Sequence, residues 1–303
     1  MRFETNEIVS QAEDSLKRDL IFQVENKLGV RNIVMTVNDG QKDFVIKAGL
    51  DTETDLLALN LLDKIDFAAP KVETYTNLGN DVTGYGLIVM SKLNGEKIRY
   101  LPLDKRPHLV SQIIDELEKL KLCKSENGAG TLTEVNAGMG TTWKEYLGMI
   151  TNQAVSELQM SNMSDIYDTN WKVISRAIEI IKSGIEGLSE ELDISLLHND
   201  INLANCLAMD DKFVGIVDWS DAIYGDSLYD LSRFRMNLAQ SKDESSLKIY
   251  EQKIKMNSEE KGREKLYYLC RLVEYLGIYR KYRNDFWFNR NIELLLDEIG
   301  YQA

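Results

Sequence analysis

Two short apolar runs, "NCLAM" at 205–209 and "FVGIVDW" at 213–219, are separated only by Asp210, Asp211 and Lys212. A link that short makes the runs antiparallel neighbours, because parallel strands need a crossover of a dozen or more residues. Aspartate is a turn former that tolerates the left-handed backbone. The spacing predicts a hairpin that carries Asn205 and Asp218, six and seven residues from position 211, to the same end. Asp200, five residues before Asn205, lies on the loop entering the first arm and reaches the same point. Three oxygen-bearing side chains are thus expected at one end of a rigid ribbon.

Oxygen ligands on a rigid support suit Mg²⁺, which in enzymes keeps several waters and bridges substrate phosphates. An acid not needed by the metal can orient a hydroxyl. This is the logic of phosphoryl transfer, which asks the protein for positioning, charge neutralisation and one placed base. Other metal chemistries are excluded: His108 and His198 are the only histidines, and Cys123, Cys206 and Cys270 are odd in number and far apart. Neither a zinc cluster nor a disulfide framework fits that inventory. A net charge of −13 argues against nucleic acid and anionic membrane surfaces as partners. It leaves a small, cationic or neutral partner. The excess is spread evenly, −5 over 1–93, −5 over 94–199 and −3 over 200–303, which suits an ordinary acidic cytosolic protein as well as a cation pocket.

With 303 residues, 44% of them hydrophobic, the chain can fill one core or two packed lobes. It contains no run of about 18 apolar residues, and "MRFETNEIVSQAEDSLKRDL" is acidic and helix-patterned, unlike a signal peptide. A cytoplasmic location is expected. Apolar residues at Ile8, Ala12, Leu16, Leu20, Val24 and Leu28 predict a helix over 7–28, ended by Gly29. "NIVMTV" and "FVIKA" around "NDGQKD" predict a β-hairpin. A helix over "TETDLLALNLLDKI" follows, capped by Thr52 or Thr54, with Leu56, Leu59 and Leu62 on its apolar face. "KVETYTN" and "GYGLIVMSKL" read as a strand pair across "LGNDVTG". Beyond about residue 93 the periodicity is helical in six segments, with "ENGAG" and "NAGMG" as loops and the segment 196–231 as the one β interruption. The fold class is α+β: a β-rich region over 1–93, a break at 91–95, and a mainly helical region over 94–303.

His198-Asn199-Asp200-Ile201-Asn202-Leu203-Ala204-Asn205 matches the H-x-D-x-x-x-x-N catalytic loop of the kinase fold, and Asp218 stands where protein kinases carry D-F-G. Here Trp219 and Ser220 replace the Phe-Gly, followed by Gly225, Asp226, Asp230 and Leu231. This set resembles the aminoglycoside phosphotransferase family, and "DWSDAIYGDS" with "TTW" at 141–143 is most similar in wording to hygromycin B phosphotransferases. The resemblance implies a two-lobed protein-kinase-like fold and transfer of the γ-phosphate of ATP or GTP, with Mg²⁺, to a hydroxyl of a cationic small molecule of the antibiotic type. It implies Asp200 as the group that accepts or orients the hydroxyl proton, His198 as a brace of the catalytic loop, and Asn205 and Asp218 as metal ligands. Lys47, the only lysine inside an apolar strand, would neutralise the nucleotide phosphates, steadied by Asp55, which fits the family's E-x-x-x-L-x-x-L spacing with Asp for Glu, or by Glu53. Backbone groups near Ser91 and Leu93 would hold the purine edge, and "GVRN" at 29–32 would begin the phosphate-covering turn. Asp226 is expected to cap the helix "SLYDLSRFRMNLA" and Asp230 to tie it to the catalytic loop, while Trp143, Trp171 and Trp287 serve packing. Two alternatives share these residues or part of them: a metabolic kinase of choline, an amino sugar or homoserine, and a nucleotide-binding module without turnover.

Overall fold

The computed structural model describes residues 5–26, 32–79, 85–133, 137–160 and 168–300. In chain order the elements are α1 (Thr5–Leu16), β1 (Ile21–Asn26), β2 (Asn32–Asn38), β3 (Asp43–Gly49), α2 (Thr52–Lys64), β4 (Val72–Asn77), β5 (Gly86–Ser91), β6 (Glu96–Lys97), α3 (Pro107–Glu118), β7 (Gly130–Thr131), α4 (Trp143–Met160), α5 (Asp168–Glu186), β8 (Ile194–Leu197), β9 (Cys206–Met209), β10 (Lys212–Ile216), β11 (Ile223–Asp226), α6 (Leu228–Gln240), α7 (Glu244–Lys253), α8 (Ser258–Lys281) and α9 (Asp285–Ile299). Where the sequence pattern draws one boundary near residue 93, contacts cluster the chain into two compact units that are discontinuous in sequence. The first holds the described residues within Met1–Leu101, Leu132–Asn136 and Leu203–Ala222, the second those within Pro102–Thr131, Ala137–Asn202 and Ile223–Ala303.

The first unit is built on an antiparallel sheet of order β1-β2-β3-β5-β4. The hairpin expected over "NDGQKD" forms, with Asn38 opposite Asp43. Alternation then sends Phe44, Ile46 and Ala48 of β3 into a core with Met35, Val37, Leu87, Val89 and α1 residues Ile8 and Ala12, and turns Lys47 to the other face. The helix expected over 7–28 stops at Leu16, and Ile21–Asn26 is a strand paired with β2. Residues at 16, 20 and 24 repeat every four positions, a spacing compatible with both periods, and Leu20, Phe22 and Val24 also alternate as a strand does. The left-handed Lys17, at φ +57°, makes the break. Gly29, most of "GVRN" and most of "LGNDVTG" lie outside the described residues.

The helix after β3 begins without the expected threonine cap. Asp51 is its N-cap residue, left-handed and without a side-chain cap bond, while the Thr52 hydroxyl donates to the Gly49 carbonyl. Its buried residues are Thr52, Asp55, Ala58, Leu59, Leu61 and Leu62, with Leu56 only half-buried. A second, three-stranded sheet, β10-β9-β6, completes the unit. Glu96 and Lys97 pair with Ala208 and Leu207, which brings the chain just past residue 93 onto the 205–219 hairpin. Gly95 permits this approach: at φ +151° it takes a backbone that L-residues avoid, and a Cβ there would stand 2.7 Å from the Ala208 carbonyl oxygen.

The helical unit is organised around α8, which packs against α4, α5, α6 and α9. Its start is fixed by a capping box, Asn257 accepting from the Glu259 and Glu260 N–H groups and Glu260 returning to the Asn257 N–H. All six expected helical segments are present. The β content is larger than one interruption: β7, β11 and β8 form a small antiparallel sheet, and part of the "ENGAG" region supplies its outer strand. Gly225 in β11 faces Trp143 at the start of α4, where a Cβ would stand 2.5 Å from the indole ring and 2.8 Å from Leu197. Gly225→Ala is expected to destabilise the protein by about 1–3 kcal/mol through overpacking, read as a lowered Tm; an unchanged Tm would show that the ring shifts freely. Cys123, Cys206 and Cys270 are free thiols, all buried. No described helix is long and apolar enough to cross a membrane.

Candidate active site

The 205–219 hairpin forms with a two-residue turn. Asp210 and Asp211 both have positive φ, 52° and 57°, the type I′ geometry whose twist matches antiparallel strands. The register runs from Met209 opposite Lys212 to Cys206 opposite Ile216, with a bulge between Phe213 and Gly215. Beyond it the Val217 N–H donates to the Asn205 carbonyl at 2.9 Å. Asn205 therefore sits across from the residue before Asp218, as its spacing predicted.

Asp218 is left-handed, at φ +69°, and its side chain is 54% exposed. Its Oδ1 accepts from Lys47 Nζ at 2.8 Å and from the Ser220 hydroxyl at 3.2 Å. Lys47 Nζ also lies 2.9 Å from Asp55 Oδ2, an ion contact outside hydrogen-bond alignment, with both side chains nearly fully buried. Asp55 Oδ1 accepts the Trp219 N–H at 3.1 Å. One helix carboxylate thus joins the strand lysine to the residue after Asp218. Of the two acids offered for Lys47, the structure brings Asp55 to it; Glu53 is exposed. Burial opposes the Lys47 charge, yet Asp55 and Asp218 outweigh it and hold its pKa above the ordinary lysine value. Burial pushes Asp55 up to about 6 in spite of Lys47.

Trp219 is the anchor of this arrangement. It is fully buried, its Nε1 donates to the Ile216 carbonyl at 3.0 Å, and its ring meets Phe67 edge to face at 5.4 Å. At Ser91 the N–H donates to the Lys71 carbonyl and the hydroxyl accepts the Lys71 N–H, both at 2.8 Å. Leu93 lies against Gly215, where a Cβ would come within 2.7 Å of its Cδ1.

In the helical unit β8 leads into the loop that carries His198 to Asn202. Asp230, buried at the start of α6, accepts the His198 N–H at 2.6 Å and the Asn199 N–H at 2.8 Å. This is the tie between α6 and the loop that the sequence suggested. Burial holds its pKa above the usual carboxylate range, against the pull of His198 and Arg271. His198 is fully buried, and its Nδ1 accepts the Asp200 N–H at 3.2 Å. The bond ties the imidazole to the loop backbone, the geometry of a brace. Asp226 accepts the Leu228 N–H at 3.1 Å, so it bonds the first N–H of α6 from one position before the N-cap residue Ser227; its other oxygen accepts from the Tyr267 hydroxyl at 2.9 Å and lies in ion contact with Arg263 Nε at 3.0 Å. Trp143 is buried with its Nε1 on the Tyr267 hydroxyl.

Asp200 Oδ1 accepts from Arg233 Nη2 at 2.8 Å and from the Tyr275 hydroxyl at 2.7 Å, and Asn202 Nδ2 donates to Oδ2 at 3.2 Å. Its side chain is 32% exposed. Burial works against its charge, but Arg233 and Tyr275 prevail and lower its pKa. Arg271 of α8 grips the neighbouring residue, donating to the Asn199 carbonyl at 2.9 Å and its Oδ1 at 2.6 Å, with its guanidinium 3.6 Å from the Tyr229 ring centroid. None of these arginine and tyrosine roles has a local sequence signal; each joins residues 33 to 75 positions apart. Asp230→Ala is expected to cost about 3–5 kcal/mol, because it strands two buried N–H groups and part of the Arg271 charge. A Tm within a degree or two of wild type would contradict this.

Among the described residues no group of three or more His, Cys, Asp or Glu side chains is placed to hold a metal. Asn205 and Asp218 carry oxygen donors of the kind Mg²⁺ uses with phosphates and water, and the Val217–Asn205 backbone bond sets their positions on facing arms of the hairpin. Residues 50–266 match the model of the phosphotransferase enzyme family. The chain belongs to that family. Hygromycin-B 4-O-kinase of Escherichia coli is 20% identical over 167 residues, covering 54% of this chain and 47% of the relative. That match spans about half the length of the curated relative. The crystal structure of aminoglycoside phosphotransferase APH(4)-Ia superposes with a TM-score of 0.76 at 16% identity over 97% of this chain and 99% of that one. A thermostable mutant of it in ternary complex with ADP and hygromycin B gives 0.77 at 15% identity over 98% and 100%. The GDP and kanamycin complex of a further aminoglycoside phosphotransferase gives 0.67 at 16% over 97% and 98%. These likenesses establish the two-lobed kinase-like phosphotransferase fold, with a β-rich and a mainly helical region.

Proposed function

We propose that this phosphotransferase-family chain moves the γ-phosphoryl group of a nucleoside triphosphate, ATP or GTP, to a hydroxyl of an aminoglycoside-type acceptor, with hygromycin B the first candidate. The observation that carries the reading is the placement of Lys47, a buried strand cation between a buried and an exposed carboxylate. That is a phosphate-neutralising lysine held at full charge by its helix partner. Asp218 and Asn205 would hold Mg²⁺, which when bound neutralises charge on the transferring phosphates. The Ser91 carbonyl and the backbone at Leu93 would meet the purine. Asp200 would accept a hydrogen bond from the acceptor hydroxyl and hold it for attack. A triphosphate co-substrate points to the cytoplasm. The net charge of −13 favours a cationic acceptor, since an acidic protein draws a polycation inward.

The deciding experiment offers γ-labelled ATP and GTP with Mg²⁺ and a panel of hygromycin B, kanamycin, choline, homoserine and an amino sugar. Label on hygromycin B or kanamycin supports the proposal. Label on choline, homoserine or the amino sugar alone replaces the acceptor class with a metabolic one. Tight Mg²⁺-nucleotide binding with no labelled acceptor favours a binding module instead.

A further inference from the structure

We infer that Arg233 and Tyr275 are positioning residues for Asp200, pinning one carboxylate oxygen so that the other is presented to the acceptor hydroxyl. The inference rests on the phosphotransfer reading above and names residues that reading does not use. Arg233 comes from α6 and Tyr275 from α8, and both donate to Oδ1 of Asp200, at 2.8 and 2.7 Å. Arg233 Nε donates in turn to the Tyr275 hydroxyl at 2.9 Å, and its guanidinium lies 4.3 Å from the Tyr275 ring centroid. The three side chains form a closed cycle, in which Tyr275 accepts from the arginine and donates to the aspartate.

The carboxylate torsion of aspartate is broad, so an unrestrained Asp200 would present either oxygen at a wide range of angles. Two strong donors on one oxygen remove that freedom. The loop backbone is fixed as well: His198 Nδ1 holds the Asp200 N–H, and Asn202 Nδ2 donates to the Asp200 carbonyl at 2.9 Å. Oδ2, with its longer contact to Asn202 at 3.2 Å, is the oxygen turned to a substrate hydroxyl. The helix-borne cation also explains why a guanidinium is buried to 5% exposure beside the loop. An apolar side chain of similar volume would fill the space at lower desolvation cost, but it would not orient a carboxylate. Burial keeps the Tyr275 hydroxyl protonated, so it remains a donor.

The test is a kinetic double-mutant cycle on the full chain, with Mg²⁺-ATP turnover followed as ADP release in the presence of hygromycin B and in its absence, where water is the acceptor. Arg233→Met is expected to lower kcat about 10²-fold and Tyr275→Phe about 10-fold, with the KM for ATP unchanged within about twofold. Arg233→Lys, which keeps the charge but not the fork, should fall between Arg233→Met and wild type. In an Asp200→Asn background Arg233→Met should cost no more than about twofold, because its effect runs through the missing carboxylate. Wild-type kcat in both Arg233→Met and Tyr275→Phe, or an equal loss in the Asp200→Asn background, overturns the inference. Should Arg233→Met fail to fold, Tyr275→Phe, which removes one hydroxyl and keeps the ring, decides alone. A wild type that labels no acceptor of the panel and releases no ADP sinks the phosphotransfer reading itself and the inference with it, whereas an Asp200→Asn enzyme at full rate removes Asp200 from the acceptor site and overturns the inference alone.

Discussion

Asp218→Asn is expected to lower Mg²⁺-dependent nucleotide affinity by more than about 100-fold while leaving the fold intact. The lower bound follows because loss of a mere outer partner of a metal already costs about 10–100-fold, and Asp218 is proposed to touch the ion. The fold survives for two reasons. The backbone at 218 is left-handed, φ +69°, a conformation asparagine tolerates well, whereas alanine there adds about 1–2 kcal/mol of strain. Asp218 is also more than half exposed, so its contact with Lys47 contributes little to stability. Lys47 keeps Asp55 at 2.9 Å as its counter-ion. Titrating ATP or GTP with and without Mg²⁺ by calorimetry separates the effects: metal-free affinity should barely move, and the metal-dependent gain should vanish. Asp218→Ala should lose the same gain and melt lower. Tight, Mg²⁺-dependent binding retained by Asp218→Asn would remove Asp218 from the metal site.

What the sequence disclosed about this site followed local spacing. The 205–219 hairpin was legible because a two-residue Asp turn between apolar runs has few other solutions. The Asp230 tie was legible from its place in the Gly-Asp-x-x-x-Asp-Leu run, one helical turn into α6, from which a carboxylate can accept the N–H groups of the loop at His198 and Asn199. The choice between Glu53 and Asp55 was present in the helical period, since 55, 59 and 62 share a face that 53 does not. The end of α1 was not legible, because a four-residue repeat fits helix and strand alike. Nor was the pairing of β6 with β9: two residues carry no periodicity, and only the tertiary approach at Gly95 makes them a strand. Arg233, Arg271 and Tyr275 were hidden for another reason. A charged or phenolic residue on a helix reads as part of a solvated face, and only long-range packing turns these three inward.

The second large effect is expected from Asp200→Asn, which should lower kcat about 10²–10⁴-fold with little change in the KM for nucleotide. The substitution is nearly isosteric, so hydrogen-bond polarity decides its effect. Arg233 and Tyr275 are both donors to one oxygen of residue 200. The amide of asparagine will keep its carbonyl there, which forces its NH₂ to the Oδ2 position. An NH₂ donates and does not accept, so the acceptor hydroxyl loses the group that holds its proton, and the Asn202 amide, which donated to Oδ2 at 3.2 Å, now faces another donor. Arg233 and Tyr275 hold the Asp200 carboxyl below its usual range against the effect of burial. The carboxylate is therefore ionised throughout the neutral range, and the rate loss should be of similar size at every pH near 7. Replacing the charge also leaves the buried Arg233 less well paired, at a cost of about 1–3 kcal/mol, so the rates must be compared well below the variant's Tm. An Asp200→Asn enzyme that keeps wild-type kcat with a raised nucleotide KM would assign residue 200 to nucleotide binding and take away its place beside the acceptor hydroxyl.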